Sequence, residues 1–548
     1  MTQTFETEVL IVGAGPVGLT LAMDLAKRGV KVVIAEIRHY AEPPNVKCNH
    51  VAARTMEQFR RLGIVEKVRN AGLPSDYPND VVFRTTVTGT ELSRIPIPCR
   101  DNRYTETEGP DAWWPTPEPP HRINQIYLEP ILLEHAAGMA NVTLLNRTQV
   151  LSFEQDNLGV TAQAKNIDNE KPITIKARYM VGCDGGRSDI RKQMGAKLEG
   201  TAVIQRVQST YIRAPKLKEL IQGTPAWSCY VMNPRRCGTV FAIDGDEQWL
   251  IHNHLHPDEP EFDSIDRDDS IRTILGVDSK FEYEVVSKED WVGRRLVANR
   301  FRNGKVFLAG DAAHIWMPYA GYGMNAGIAD ALNLAWLLSA HLQGWASESI
   351  LNAYEAERQS ITEQVSQFAM SHAQQMIKMK KAVPSNIEEL SEVGEGLRAQ
   401  VGKDAYELNV QQFCCAGLNF GYFYENSPII IKDSEQAPSY SMGSFTESTV
   451  PGCRAPHFWL GNGKSLYDDF GDGYTLLSFD ENLDVLPLQN IAASKNMPLT
   501  VLSIKQTKIP NSYKNKLVLC RTDQHIVWRG DALPSDINSF TNQLSASQ

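Results

Sequence analysis

Residues 6–36 read ETEVLIVGAGPVGLTLAMDLAKRGVKVVIAE. The run at 9–12 is apolar at consecutive positions, which a single buried face cannot explain, so it reads as a parallel strand covered on both sides. It breaks at Gly13-x-Gly15-x-x-Gly18 into a helix over 19–28 that Gly29 closes, and a second strand, 31–35, ends at Glu36. In such a unit Gly13 permits the tight turn, Gly15 lets backbone approach a pyrophosphate, and Gly18 lets helix pack on strand. Unpaired N–H groups at the positive end of the helix meet the phosphates. Glu36 stands where an acid accepts hydrogen bonds from ribose hydroxyls and repels a 2′-phosphate. The unit therefore predicts a bound dinucleotide, FAD or NAD rather than NADP.

The chain has 548 residues, too many for one core, so two or three domains are expected. Its 42% hydrophobic and 22% charged residues are ordinary for a soluble globular protein. A net charge of −10 argues against a nucleic-acid surface or an anionic membrane partner. No apolar stretch is long enough to span a bilayer, and the short polar tail before the first strand leaves no room for a cleavable signal. A cytoplasmic protein is expected. The nine cysteines include no CxxC pair, which argues against disulfides, zinc and dithiol redox chemistry. Cys414 and Cys415 read as core thiols.

Further along, a helix is expected over 51–62, strands and a long loop over 74–121, and an amphipathic helix over 124–137. Strands dominate 142–177 and 200–255, with a hairpin turn at Asp244-Gly245. Strands at 179–183 and 306–309 read as buried, and long helices are expected over 325–342 and 349–379. Within the second of these, the Met-rich stretch 370–379 reads as a helix face against the core. Residues 380–450 read as loop-rich, and a new strand-rich pattern begins near Thr449.

Two further stretches bear on the cofactor. In VGCDGGRSDIR, 181–191, a buried strand delivers Asp184 and Gly185 to a tight turn, and Ser188 and Arg191 begin the next helix. In VFLAGDAAHIWMPYAGYGMN, 306–325, a strand ends at Gly310-Asp311 and a glycine-punctuated loop leads to a helix starting near Asn325. Asp311 is placed for the ribityl hydroxyls of a flavin, and the helix N-terminus for the negative edge of its reduced ring.

With these three stretches in this order, the chain resembles the single-component FAD-dependent aromatic hydroxylases of the p-hydroxybenzoate hydroxylase fold. The resemblance covers residues 6 to about 380. The remainder resembles the phenol hydroxylase-like members, with PGCRAPH at 451–457 as the entry to a C-terminal thioredoxin-like domain. The resemblance implies an α/β fold in which a discontinuous Rossmann-like FAD-binding domain (1–80, 121–198 and 292–380) interleaves with an antiparallel-sheet substrate domain (81–120 and 199–291). A helical and loop connection, 381–445, would lead to a thioredoxin-like α/β domain without CxxC, 446–548.

The resemblance also implies the cofactor site. Gly13, Gly15, Pro16, Val17, Gly18, Glu36 and Ile37 would hold the ADP half of FAD. Lys47, where relatives commonly carry Arg, would leave a cation near the phosphates, and Gln125 would lie near the diphosphate. Asp184 and Gly185, then Gly310 and Asp311, would follow, with the loop residues Pro318, Gly321, Gly323, Met324 and Asn325. The Pro318 carbonyl would lie beside the flavin where oxygen reacts, with Met317 in place of a usual proline. NADPH or NADH would reduce FAD, and O₂ would add to give a C4a-hydroperoxide. Its OH would pass to a carbon ortho or para to the oxygen of a phenolic or polycyclic aromatic substrate, in a dry pocket. A homodimer is implied. Two alternatives are Baeyer–Villiger oxygenation of a ketone and a non-enzymatic FAD-fold binding protein. The Trp-x-Trp-x-Ile-Pro segment of flavin halogenases is absent from the sequence.

For the base that deprotonates substrate, Asn49 and His50 precede a helix where related hydroxylases place a substrate-facing polar group. His50 reads equally as that base or as a histidine capping the helix. His252 and His254 share one face of a strand; the preferred reading is a solvent-facing strand edge, ahead of a pocket ceiling or a metal pair. His314 reads as structural. Trp227, Tyr230 and Trp249 read as core or as pocket lining.

Overall fold

The computed structural model describes residues 3–47, 49–259, 261–505 and 508–547, apart from the side chain of Ala320. The strand Gln3–Val12 runs into the helix Pro16–Lys27 and returns as the strand Val32–Ala35. Val9 lies opposite Val32 on one side and opposite Tyr179 of the strand Pro172–Gly182 on the other, both in parallel register. That double flank, with helices above and below, is why the run at 9–12 is apolar throughout. The helix starts at Pro16, earlier than the periodicity suggests, because proline suits a first turn whose N–H has no partner. Gly13 has a φ of +106°, and a Cβ there would collide with the carbonyl oxygen of Cys183. A Cβ on Gly18 would collide in turn with the carbonyl oxygen of Gly13.

Three sheets organise the chain among the described residues. The first has the order Arg302–Asn303, Val306–Leu308, Pro172–Gly182, Gln3–Val12, Val32–Ala35, Val142–Leu145, with Thr148–Gln155 and Val160–Asn166 paired beside it. The second runs His314–Trp316, Trp291–Ala298, Leu198–Arg213, Gln248–His254, Gly238–Ala242, Ser228–Val231, Val81–Arg84, Glu91–Ile95. The chain crosses between them repeatedly, so side chains from distant sequence meet at their junction. The second sheet is mixed rather than purely antiparallel, because Val81–Arg84 joins Ser228–Val231 in parallel.

The stretch 380–450, read as loop-rich and as a helical and loop connection over 381–445, contains the 22-residue helix Glu392–Phe413. Its apolar residues make no clean stripe, and three glycines dilute its helical signal. One of them, Gly402, lets the helix ride directly on the backbone at Leu92. Ser391 caps its start, accepting from the Gly394 N–H at 3.2 Å.

The third sheet has the order Leu499–Ser503, Tyr474–Ser478, Leu517–Arg521, Ile526–Gly530. The first pair is parallel across the helix Leu486–Ser494, and the others are antiparallel. This sheet docks on the long helix Asn352–Lys381 through a buried ionic hub. Glu357 accepts from Arg521 at 2.6 and 3.0 Å, from Ser427 Oγ at 2.6 Å and from Asn333 Nδ2 at 2.6 Å. Arg521 also pairs with Asp523 and lies over the ring of Trp336. No helix among the described residues is long and apolar enough to cross a membrane.

Removing one member of a buried pair strands its partner. Glu357→Ala is expected to lower the stability of the protein by about 3 kcal/mol, read from the chemical denaturation midpoint. A change below about 1 kcal/mol, the size of an exposed pair, would contradict the hub's role.

Candidate active site

A cavity of about 560 Å³ opens at the junction of the first two sheets. Of the residues expected to bind cofactor or act in catalysis, Gly15, Pro16, Val17, Lys47, Asn49 and His50 line it. Gln125, Gly185, Asp311, Pro318, Gly321, Gly323 and Met324 line it as well. Three turns from distant parts of the chain therefore share one space.

The remaining expected residues do not line the cavity, and each has a local task. Gly13 lies within the turn, and Gly18 in the first turn of the helix Pro16–Lys27, against the Gly13 carbonyl. Glu36 is buried; it accepts from the Ala14 N–H at 2.6 Å and from the Arg38 N–H at 2.9 Å. Arg38, which does line the cavity, bridges Glu36 at 3.2 Å and Glu129 at 2.6 Å. Ile37 is 57% exposed on the outer surface. Asp184 accepts from the Asp189 and Ile190 N–H groups at 2.8 and 3.1 Å, starting the short helix Asp189–Gln193. Gly310 sits beneath Val17, its N–H donating to Asp330 at 3.1 Å.

Asn325 is a buried cross-brace. Its Oδ1 accepts from the Ala52 N–H and from Thr55 Oγ1, both at 2.8 Å, and its Nδ2 donates to the His50 and Gly321 carbonyls at 3.1 and 2.7 Å. The loop carrying His50 is thereby tied to the loop carrying Pro318. Asn325, not His50, satisfies the start of the helix Ala53–Leu62, so the capping reading of His50 is corrected. Asp330 fixes the Gly310 turn from below, taking His314 Nε2 at 2.6 Å and Arg358 Nε at 2.8 Å. Burial alone would raise the Asp330 carboxyl, but those two partners hold it below its usual range. His314 also stacks on Trp316 at 4.5 Å, consistent with a structural role. Arg191 links the other two motifs, donating to the Ala312 and Gly186 carbonyls at 3.0 and 3.1 Å.

Several features fit a flavin dinucleotide. At Gly15 a Cβ would meet nothing within 4 Å, so the wall is open where a diphosphate would approach. No side chain caps the helix that starts at Pro16. Asp311 faces the cavity and accepts no hydrogen bond from the described residues, leaving its carboxylate for ribityl hydroxyls; enclosure by protein pushes its carboxyl up. Lys47 is paired with Glu289 at 2.5 Å, across to the second sheet. Met317 packs its sulfur over Gly293, in space only a glycine leaves, and Pro318 O accepts from the Gly321 N–H at 3.3 Å.

The other end of the cavity is aromatic. Trp227, Tyr230, Phe241, Trp291 and Phe413 line it, with Trp227 and Tyr230 each edge-on to Phe413 at 6.2 and 6.1 Å. Trp249 lies on the opposite face of its strand, in the core. His252 and His254 belong to an interior strand, not an exposed edge, and face the cavity; the preferred reading is corrected. The sequence could not show that Leu198–Arg213 and Gly238–Ala242 flank them. Burial lowers His252 to about 4, and His254 accepts from Lys380, whose own pKa burial lowers to about 8. No third ligand joins the two histidines among the described residues.

His50 lines the junction between the two ends. Burial, then the charge of Arg122, holds its pKa well below the ordinary value, and Arg122 donates to its Nδ1. Asn49 accepts from Asn124 Nδ2 at 2.5 Å. Sequence reasoning missed Arg38, Arg122, Phe241, Trp291, Gln412 and Phe413. Strand parity could have found Phe241 once the Asp244-Gly245 hairpin was placed. Gln412 and Phe413 lie on the helix Glu392–Phe413, whose bounds and approach to the cavity gave no signal in the sequence.

A family described as an FAD binding domain matches residues 6–369. The chain is 30% identical to the FAD-dependent monooxygenase apdD of Emericella nidulans, over 96% of this chain and 88% of that protein. It is 28% identical to a phenol 2-monooxygenase of a Pseudomonas species, over 98% and 91% of the two chains. Among solved structures it is similar to the rebeccamycin biosynthetic enzyme RebC with reduced flavin, at a TM-score of 0.90 and 32% identity over 100% of each chain.

The two glycines of the turn separate folding from binding. Gly15→Ala is expected to keep the wild-type thermal midpoint but to lose at least about tenfold in FAD affinity, measured by flavin titration of the apoprotein. Gly13→Ala is expected to destabilise the fold itself. Equal FAD affinity in Gly15→Ala and wild type would contradict the diphosphate placement.

Proposed function

The chain belongs to the FAD binding domain family and is an FAD-dependent monooxygenase of the class A hydroxylase kind; on that premise we propose that it hydroxylates a phenolic or polycyclic aromatic compound, using NADPH or NADH and O₂. One observation carries this reading: a single cavity is lined at once by the phosphate-binding turn, by Asp311 and the Pro318 loop, and by a wall of aromatic rings.

FAD, when bound, supplies the chemistry that activates O₂. The chain's own residues bind, orient and exclude. Gly15 and the N-terminus of the helix Pro16–Lys27 receive the diphosphate, with Gln125 and the cation of Lys47 beside it. Asp311 would hold the ribityl hydroxyls of FAD, and the Pro318 loop, tied to the His50 loop by Asn325, would lie on the flavin side of the cavity. Trp227, Tyr230, Phe241 and Phe413 stack against a flat substrate and keep water out.

The sequence leaves His50 equally a base or a helix cap, and its surroundings support a different task. Its Nδ1 accepts from Arg122, so the neutral ring carries its proton on Nε2 and serves as a donor. In this reading His50 and Asn49 orient a substrate oxygen and do not take its proton. The division into an FAD-binding part on the first sheet and a substrate part on the second belongs to the same proposal. So do a homodimer and a thioredoxin-like third sheet, for which the parallel β–α–β pair followed by an antiparallel hairpin is the support.

The test is oxygen uptake and NAD(P)H oxidation by the purified yellow protein with a panel of phenols and naphthols. A phenol that accelerates both and gains one oxygen atom supports the proposal; a lactone formed from a ketone panel, or no stimulation by any phenol, contradicts it. His50→Gln is expected to lower turnover by about tenfold while leaving the rate-against-pH curve unchanged between about pH 6 and 8, because a histidine titrating well below its normal value is already neutral there. Loss of a limb in that window would make His50 the base.

A further inference from the structure

The aromatic end of the cavity has one polar corner that the proposed reaction leaves unused. His252 and His254 stand two residues apart on the strand Gln248–His254, and both line the cavity. His252 is wedged edge-on between Phe241 and Trp291, whose ring centres lie 5.5 and 5.6 Å away. Both histidines are half-buried. Neither ring nitrogen of His252, nor Nε2 of His254, has a hydrogen-bond partner among the described residues, and none of the three is sealed from water.

His254 differs from its neighbour in what stands behind it. Its Nδ1 meets Nζ of Lys380, near the end of the helix Asn352–Lys381. An ammonium only donates, so Nδ1 accepts and the neutral ring carries its proton on Nε2, the nitrogen left open. Burial, then the charge of Lys380, holds His254 well below its ordinary range, so the ring is neutral at neutral pH. Lys380 has no carboxylate partner among the described residues; His252, His254 and Cys237 face it from the second sheet, and His372 from its own helix. Arg236, next to Cys237, is paired with Glu259. The ammonium behind the ring fixes the direction of its outward N–H and polarises it.

We propose that His254 donates from Nε2 to an uncharged carbonyl oxygen on the aromatic substrate, with Lys380 as the positioning residue that fixes its tautomer. The corner then selects ring systems bearing a ketone, quinone or amide carbonyl over plain phenols. The proposal deepens the aromatic hydroxylase reading and rests on it. One N–H suits one carbonyl oxygen, whereas a carboxylate buried there would leave most of its lone pairs unmet. His252, whose tautomer nothing fixes, donates or accepts as the neighbouring substituent requires.

Burial brings the pKa of Lys380 to about 8, so the amine loses its proton above that pH. A neutral amine accepts; the imidazole proton can then sit on Nδ1, and the lone pair on Nε2 repels a carbonyl oxygen. The carbonyl preference is therefore present below about pH 8 and fades above it.

The experiment measures dissociation constants on the FAD-loaded enzyme, from the change in flavin absorbance, for 7-hydroxy-1-tetralone and 5,6,7,8-tetrahydro-2-naphthol. These probes differ by a carbonyl in place of a methylene. Wild type, His254→Phe and Lys380→Met are compared, with FAD content and thermal midpoint recorded for each. At about pH 6.5 wild type is expected to bind the ketone about tenfold tighter, a ratio that shrinks to a few-fold by about pH 8.5. His254→Phe is expected to bind the two alike, and Lys380→Met to show a smaller ratio that no longer depends on pH. A purely structural role for Lys380 would weaken both probes together and leave the ratio unchanged. The proposal is overturned if wild type shows no ketone preference, if the ratio is the same at both pH values, if His254→Phe keeps it, or if neither probe binds. Should a variant not retain FAD, the wild-type ratios at the two pH values decide. Products are scored separately, so a His254-dependent preference with a lactone or no hydroxylated product would retain the carbonyl site and reject the hydroxylase reading.

Discussion

The backbone contact between Gly13 and Cys183 is the constraint on which the site depends. Strand ends from two different motifs lie so close that no side chain fits between them. That contact points Gly15 outward and starts a helix facing the cavity, while the same strand delivers Gly185 to its rim. The third turn is fixed independently, from below, by the buried carboxylate of Asp330 on Gly310, His314 and Arg358. Three turns therefore meet because backbone sterics place two of them and one buried ion cluster places the other.

Charge is distributed in the same spirit. Many buried ions are paired, as at Glu357 with Arg521 and Arg103 with Asp111, and these pairs hold elements together. Within the cavity, Asp311 faces space and accepts no hydrogen bond from the described residues, while Arg122 lies against Trp227 and donates to His50.

Much of this was legible from sequence where local rules act. The turn at 13–18, the Asp-Gly and Gly-Asp stretches and the hairpin at 244–245 each follow from glycine placement and strand periodicity over a few residues. What escaped depends on contacts between distant segments. The helix Glu392–Phe413 packs on strand Glu91–Ile95, and its glycines make sense only against that backbone. His252 looked like an edge residue because the strands on either side come from elsewhere in the chain. Arg122 was one basic residue among many until its contacts with His50 and Trp227 could be seen. Glu36 reads from sequence as an acid at a strand end placed for ribose hydroxyls; in the fold it is buried on the Ala14 and Arg38 N–H groups and paired with Arg38, which lines the cavity.

In the proposed reaction a flavin ring and a flat aromatic substrate occupy this single cavity together. A crystal structure of the FAD-loaded protein soaked with 2-naphthol tests it most directly. The account predicts the ring system against the Pro318 loop, its ribityl chain on Asp311, and the naphthol stacked among Trp227, Tyr230 and Phe413. Density for the naphthol elsewhere, or a flavin whose ring turns away from the Pro318 loop, would contradict it.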